Sequence, residues 1–294
     1  MTNPENLKKR ISSLDRIPTL PVIANQIMQI AQDENKSLRQ LVPIIEKDPP
    51  LAIKVLKMAN AAYYGLRRQV DSLRDAVMIL GMDSLYQMAL SFSVMKVLET
   101  GKMTNAIAWD KFWEHSAAVG HIAELLKKKL QLRAIPNAFS LGLLHDIGKL
   151  VFYKLEPEAY SQLIISCAEE DMPLYNGEIE KFGVSHEQIG IWVAEKWQLP
   201  TALITSVGYH HRPHEATKEM QLNAALVQIA NLVANLNEIS FGAGFFQTVP
   251  RELSGWKIIQ ETQAHLAEMD FELFVMSIQD EINHISEIVK LIQG

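Results

Sequence analysis

Histidine is unevenly placed along the 294 residues. Of nine, seven fall between His115 and His214, the stretch that also carries Asp146. Imidazole nitrogens and carboxylate oxygens drawn from several helices are a common way for a helical protein to hold a divalent transition metal. The centre of the stretch is LLHDIGKL, with His145 and Asp146 adjacent. Neighbours on a helix point about 100° apart, so two such ligands meet one ion most easily at a helix end, and Gly148 is read as supplying that end. His115 sits inside the helical pattern FWEHSAAVGHIAELL, with His121 six residues on and off its face. His186 follows Ser185, a candidate cap with Gln188 at the capping-box position, and His210-His211 closes the apolar pattern TALITSVGYHH. Taken singly, a histidine on an apolar helix is more often a hydrogen-bonded core or surface residue, and a lone His-Asp pair is common. The metal reading rests on the whole set.

The elements that must position these groups are helical. Apolar residues recur at helical spacing almost everywhere, and no alternating strand pattern persists. Ser37, Asp48, Ser72 and Asp83 each stand where a side-chain oxygen can serve the free N–H groups of a helix start. Pro49 suits a first helical position, whereas Pro43 predicts a kink or early stop. Gly65, Gly81 and Gly101 read as stops. Five or so short helices thus fill the chain to about residue 100, and GKMTNA reads as a boundary. A longer helix follows over roughly Ile107 to Leu130, then patterns near 137–146, 149–154, 157–170, 174–181, 186–197, 201–210, 218–237, 254–268 and 271–292. The segment EISFGAGFFQTVP reads as a loop pinned by phenylalanines. Tyr63 and Tyr64 read as core aromatics near a helix end.

Composition narrows the function. The net charge of -6 is modest and spread out, and the one basic run, Lys127-Lys128-Lys129, closes a helix where it faces the negative end of the dipole and water. Nucleic acid is therefore not an expected partner. Cys167 is the single cysteine, which excludes an internal disulfide and, within LIISC, reads as a buried thiol. The polar start broken by proline is no signal peptide, and no stretch of about 18 apolar residues suggests a membrane span. A cytoplasmic location is expected.

Three segments of the first half, RIPTLPVIANQIMQIAQD, KDPPLAIKVLKMANAAYYGL and SLRDAVMILGMDSLYQMAL, resemble the successive signature segments of the HDOD domain. FWEHSAAVGHIA, LLHDIGKL, EIEKFGVSHEQIGIWVAEKWQLP and VGYHHRP continue the likeness, which spans about residues 15–215. The resemblance implies an all-α, multi-helical protein of bacterial signalling. Its expected parts are an N-terminal helical bundle, residues 1–105, and a helical domain similar to HD-superfamily phosphohydrolases with a C-terminal helical tail, residues 106–294. By that likeness His115 matches a first metal ligand and His145 and Asp146 the name-giving pair. His186, His210 and His211 match further ligands of a two-metal site, and Lys149 a lysine that contacts the scissile phosphate. Such a site would activate water and neutralise charge on phosphoryl oxygens.

Departures from the catalytic pattern matter. LVQIANLVANL places Asn231 where catalytic relatives carry an aspartate, Lys111 stands where two-metal relatives can carry a glutamate, and RPHEA follows His210-His211 with no GYP-type motif. Two dications need several anionic ligands, and this set offers one carboxylate, Asp146, among imidazoles and an amide, with Lys111 adding repulsion if it faces the site. One divalent transition metal (Fe, Zn, Ni or Mn) on His115, His145, Asp146 and one further group fits the donors better. The expected function is a signal-transduction output module with a degenerate HD-type metal site, working through contacts with signalling proteins. The alternative is a metal-dependent phosphohydrolase in which Lys149 is catalytic.

Overall fold

The computed structural model describes residues 4–12, 21–32, 37–60, 70–99, 109–135, 137–241 and 253–285, and among them there is no strand. The helices are α1 (Pro4–Ser12), α2 (Val22–Gln32), α3 (Leu38–Glu46), α4 (Pro49–Ala59), α5 (Leu73–Leu80), α6 (Met82–Glu99), α7 (Trp109–Lys129) and α8 (Ala138–Leu144). They continue with α9 (Ile147–Leu155), α10 (Pro157–Glu169), α11 (Leu174–Phe182), α12 (His186–Lys196), α13 (Thr201–Tyr209), α14 (Gln221–Leu236), α15 (Ser254–Gln260) and α16 (Phe271–Ser277). Short 3-10 turns occupy Pro213–Glu215 and Ala264–Leu266. The protein is all-α, as the helical spacing predicts.

Two compact units are present: α2 to α6 form one, and α1 with α7 to α16 the other. α1 packs on α12 and belongs with the larger unit. In the smaller unit the caps act as their chemistry suggests. Ser72 Oγ accepts from the Asp75 N–H at 3.1 Å and Asp48 Oδ1 from the Leu51 N–H at 3.3 Å. Asp83 falls in the first turn of α6 rather than ahead of it. Gly81 ends α5 at φ 81°, in the region that disfavours a Cβ, and α5 and α6 are bent there by 116°. Pro43 does not stop its helix: α3 runs through it to Glu46. Gly65, Gly101, Tyr63 and Tyr64 lie outside the described residues.

The larger unit contains the histidines. α7 ends on the basic run, where Lys127 pairs with Glu124 and Lys129 with Glu281. α8 is buried on every side and crosses α7 with almost no gap. A Cβ on Gly142 would lie 2.7 Å from the Gly120 backbone, so only glycine permits this approach. Cys167 is a buried free thiol, pushed up in pKa by burial. Of the phenylalanine-rich segment, Phe241 is buried edge-on to Phe112 at 5.1 Å, and residues 242–252 lie outside the described part. No single helix among the described residues is long and apolar enough to cross a membrane.

Candidate metal centre

His145 and Asp146 form the junction between two helices: His145 is the C-terminal cap of α8 and Asp146 the N-terminal cap of α9. A helix end does therefore present the pair, but Gly148 does not supply it. Gly148 lies inside α9, and a Cβ there would sit 1.9 Å from the His186 carbonyl oxygen. Its missing side chain lets the first turn of α12 approach the first turn of α9. That contact carries His186 to Asp146.

Five rings surround the aspartate. His115 comes from α7, His186 from the first position of α12, and His210 with His211 from the end of α13. Asp146 Oδ2 lies 3.2 Å from His145 Nε2, 3.7 Å from His115 Nε2 and 2.5 Å from Lys149 Nζ. Asp146 Oδ1 lies 3.3 Å from His186 Nε2 and 3.5 Å from His210 Nε2. His211 Nε2 is 3.2 Å from His186 Nε2. The groups fall into two clusters of metal-ligand spacing, His115–His145–Asp146 and His186–His210–His211, with Asp146 between them. Asp146 and His145 are fully buried, and His115, His186 and His210 nearly so.

Hydrogen bonding fixes the tautomers. A carbonyl oxygen only accepts, so a ring nitrogen bonded to one must carry the proton. His115 Nδ1–H donates to the Ile239 carbonyl at 2.8 Å and His145 Nδ1–H to that of Gly142 at 2.7 Å. His210 Nδ1–H is shared between the Ser206 and Val207 carbonyls, at 3.1 and 3.2 Å. His186 Nδ1–H donates to the Glu178 carboxylate at 2.7 Å. Each of these four rings thereby points its Nε2 at Asp146, and in the neutral ring that nitrogen carries the lone pair. Acceptors meet acceptors, and the buried His145 Nε2 and Asp146 Oδ1 have no hydrogen-bond partner.

Protonating the rings is a costly way to relieve this. Burial, with the neighbouring His145, lowers His115 to about 3. Burial lowers His145, and burial with the adjoining His210 and His186 holds His211 well below the usual histidine range. Burial works against the Asp146 anion, yet His145 and Lys149 hold its carboxyl well below the usual range. A divalent cation supplies the missing positive charge without a proton. The donors, neutral imidazoles with one carboxylate, suit zinc, iron, nickel or manganese, and fixed Nδ1–H bonds are the usual supports of such ligands.

The remaining candidates are placed as follows. Lys149 is buried in α9 with its ammonium on Asp146. Asn231 is buried in α14, a helix packed on α7, α8 and α13. Its amide oxygen accepts from Asn235 Nδ2 at 3.0 Å, and it makes no hydrogen bond to the rings. His121 stays apart, edge-on to Phe139, and burial lowers it to about 4. Lys111 turns outward to pair with Glu114 at 2.6 Å and adds no repulsion to the site.

The sequence reading missed two carboxylates. Glu178 and Glu187 are fully buried behind the rings. Glu187 accepts from the His211 N–H at 2.8 Å and from Arg212 at 3.1 Å, and the Arg212 guanidinium stands 5.8 Å from the Tyr175 ring centre. Asp146 is therefore not the only buried acid here.

The chain is thus all-helical among its described residues, with a buried histidine–aspartate centre at a helix junction. The HDOD domain model matches residues 17–213, and the chain belongs to the HDOD family. It is 26% identical over 251 residues to an uncharacterised protein of Treponema pallidum (strain Nichols), a match that takes in 85% of this chain and 48% of that protein. The chain thus spans about half the length of that relative. It is also similar to the crystal structure of an HDOD domain protein of unknown function from Geobacter sulfurreducens, with TM-score 0.79, 26% identity and 96% of each chain covered. A protein of Shewanella amazonensis provisionally named a phosphohydrolase shares the fold, with TM-score 0.71, 20% identity and 97% of each chain covered.

Proposed function

We propose that this chain is a signal-transduction output module whose buried histidine–aspartate centre holds a divalent transition metal, and that it acts on partner proteins by helix-face contacts rather than by phosphodiester turnover. The observation that carries the metal reading is the convergence of four Nε2 atoms on Asp146, each ring held through its Nδ1. His115, His145, Asp146 and one further group, His186 or His210, would hold the ion, with His211 beside them. A bound ion would supply Lewis acidity and fixed positive charge. The residues themselves argue for holding over turnover. The Lys149 ammonium is engaged by Asp146 rather than open to a phosphate, and Asn231 offers no anion.

The reading is tested by elemental analysis of protein purified without chelator or histidine tag, beside assays on a generic phosphodiester and on cyclic dinucleotides. Tightly held zinc, iron, nickel or manganese with negligible hydrolysis is expected. A second reading, a metal-dependent phosphohydrolase, is favoured by one observation: two ligand clusters share Asp146, with Lys149 beside them. Brisk hydrolysis by the wild type, abolished in His145→Ala, would overturn the first reading and establish the second.

A further inference from the structure

We infer that Glu178 is the positioning residue that sets the tautomer of His186, with Tyr160 as its own support. The inference rests on the metal reading only for its consequence, because the tautomer is a property of the chain alone.

α11 and α12 are joined by a tight turn. Gly183 ends α11 in the left-handed region at φ 72°, and Ser185 caps α12 by accepting from the Gln188 N–H. The turn folds the first residue of α12 back over α11, where Glu178 lies on the buried stripe of Leu174, Gly177 and Phe182. One oxygen of Glu178 receives both donors of His186, the backbone N–H at 2.6 Å and the ring Nδ1–H at 2.7 Å. The other accepts from the Tyr160 hydroxyl at 2.5 Å. Three donors thus meet a carboxylate with no exposed surface, and the backbone N–H, which can only donate, marks the shared oxygen as an acceptor. Burial and the facing Glu178 anion push the Tyr160 hydroxyl well above its ordinary pKa, so it stays a donor.

An ionised carboxylate only accepts. While Glu178 holds this place, the His186 proton must sit on Nδ1 and the lone pair on Nε2, the atom that faces Asp146 Oδ1, His210 and His211. The same carboxylate serves a free N–H in the first turn of α12, so one group both fixes the helix start and aims the ligand. Tyr160 stacks on Phe152 of α9 at 4.7 Å, which ties this support to the helix that begins at Asp146.

The test is the long-range ¹H–¹⁵N spectrum of metal-free, histidine-labelled protein, with His186 assigned from its loss in His186→Asn. In the wild type His186 Nδ1 should be the protonated, pyrrole-type nitrogen. Finding the Nε2–H tautomer there would overturn the inference without any variant of Glu178. Glu178→Leu removes the acceptor altogether, so nothing holds the proton on Nδ1 and His186 should shift to the Nε2–H form, which can donate to Asp146 Oδ1. Affinity for zinc or nickel should then fall about 10–100-fold. Tyr160→Phe removes only the outer bond and should leave the tautomer unchanged. A folded Glu178→Leu that keeps Nδ1–H and wild-type affinity refutes the positioning role. A wild type that shows the Nδ1–H form yet binds no metal refutes the metal reading and leaves the assignment of Glu178 standing.

Discussion

Gly148→Ala adds one methyl group at the tightest helix contact of the centre. The new Cβ would lie 1.9 Å from the His186 carbonyl oxygen, 2.8 Å from its carbonyl carbon and 3.0 Å from the Gly190 nitrogen, all backbone atoms that cannot rotate aside. Restoring even a 3.0 Å contact requires α9 and α12 to part by about 1.1 Å. Overpacking typically costs about 1–3 kcal/mol, and a backbone clash belongs at the upper end. The gain from replacing glycine with alanine inside a helix, roughly 0.5–1 kcal/mol, offsets part of it. A net loss of about 2 kcal/mol or more is expected in the urea transition of the larger unit. The displacement should also loosen metal, because ligand distances must hold within about 0.2 Å. Gly81→Ala is the control. It has φ 81° but nothing within 4 Å of the added Cβ, and it stands in the other unit. It should cost stability by strain alone and leave metal content unchanged. If Gly148→Ala unfolds within 0.5 kcal/mol of wild type and keeps its metal, the close-approach account is wrong.

Three further outcomes are expected. His210→Ala removes a lone pair aimed at Asp146 and should lower metal retention at least tenfold, whereas His121→Ala leaves a buried hole, costs about 2–3 kcal/mol by the usual large-to-small penalty and leaves metal content unchanged; elemental analysis and melting separate the two. Asn231→Asp places an anion of nearly the same shape in α14 and should raise metal retention with little loss of stability; unchanged content by competition with a chelator would exclude that position from the site. Burial opposes the Asp48 charge, but its bonds to Lys96 and the Leu51 N–H hold the pKa below the ordinary 3.8. A depressed carboxyl stabilises the fold above its unfolded pKa and loses that contribution as pH falls through the folded one. Asp48→Asn, which keeps the cap, should therefore flatten the loss of stability below about pH 4, and equal acid sensitivity in both proteins would refute the assignment.

Helical spacing and capping chemistry made most elements legible, and the adjacency of His145 and Asp146 announced a helix junction. Gly148 reads as a stop because glycine often ends helices, yet its role depends on a helix 38 residues further on, whose approach no local pattern reveals. Lys111 could be placed near His115 but not aimed, and the outward rotamer that pairs it with Glu114 is a tertiary outcome. Pro43 is tolerated within α3, where its ring predicts a kink or an early stop. Glu178 and Glu187 escaped notice because glutamates are usually solvated. A readable sign existed for both. Each falls on the buried stripe of its helix, Glu178 among Leu174, Gly177 and Phe182 and Glu187 among His186, Gly190 and Ala194. A charge on the apolar stripe must find donors, and histidines were at hand.

The commitments of these carboxylates bear on what the centre can do. Asp146 is held by Lys149, Glu178 by His186 and Tyr160, and Glu187 by Arg212 and the His211 N–H. A hydrolytic centre needs a base within reach of the attacking water and a charge free to meet the phosphate. Here Glu178 and Glu187 already have donors, and the adjacent ammonium already has its anion in Asp146 Oδ2. What the arrangement does offer is linkage. The rings arise from α7, the α8–α9 junction, α12 and α13, so an ion bound to them on the proposed reading ties four parts of one unit at a single point. Binding only the folded form stabilises that form by about 2.7 kcal/mol at a free concentration one hundred times Kd. Metal loading would then set how firmly those helices are held, and a helix face whose firmness varies is something a partner protein can read without any bond being broken.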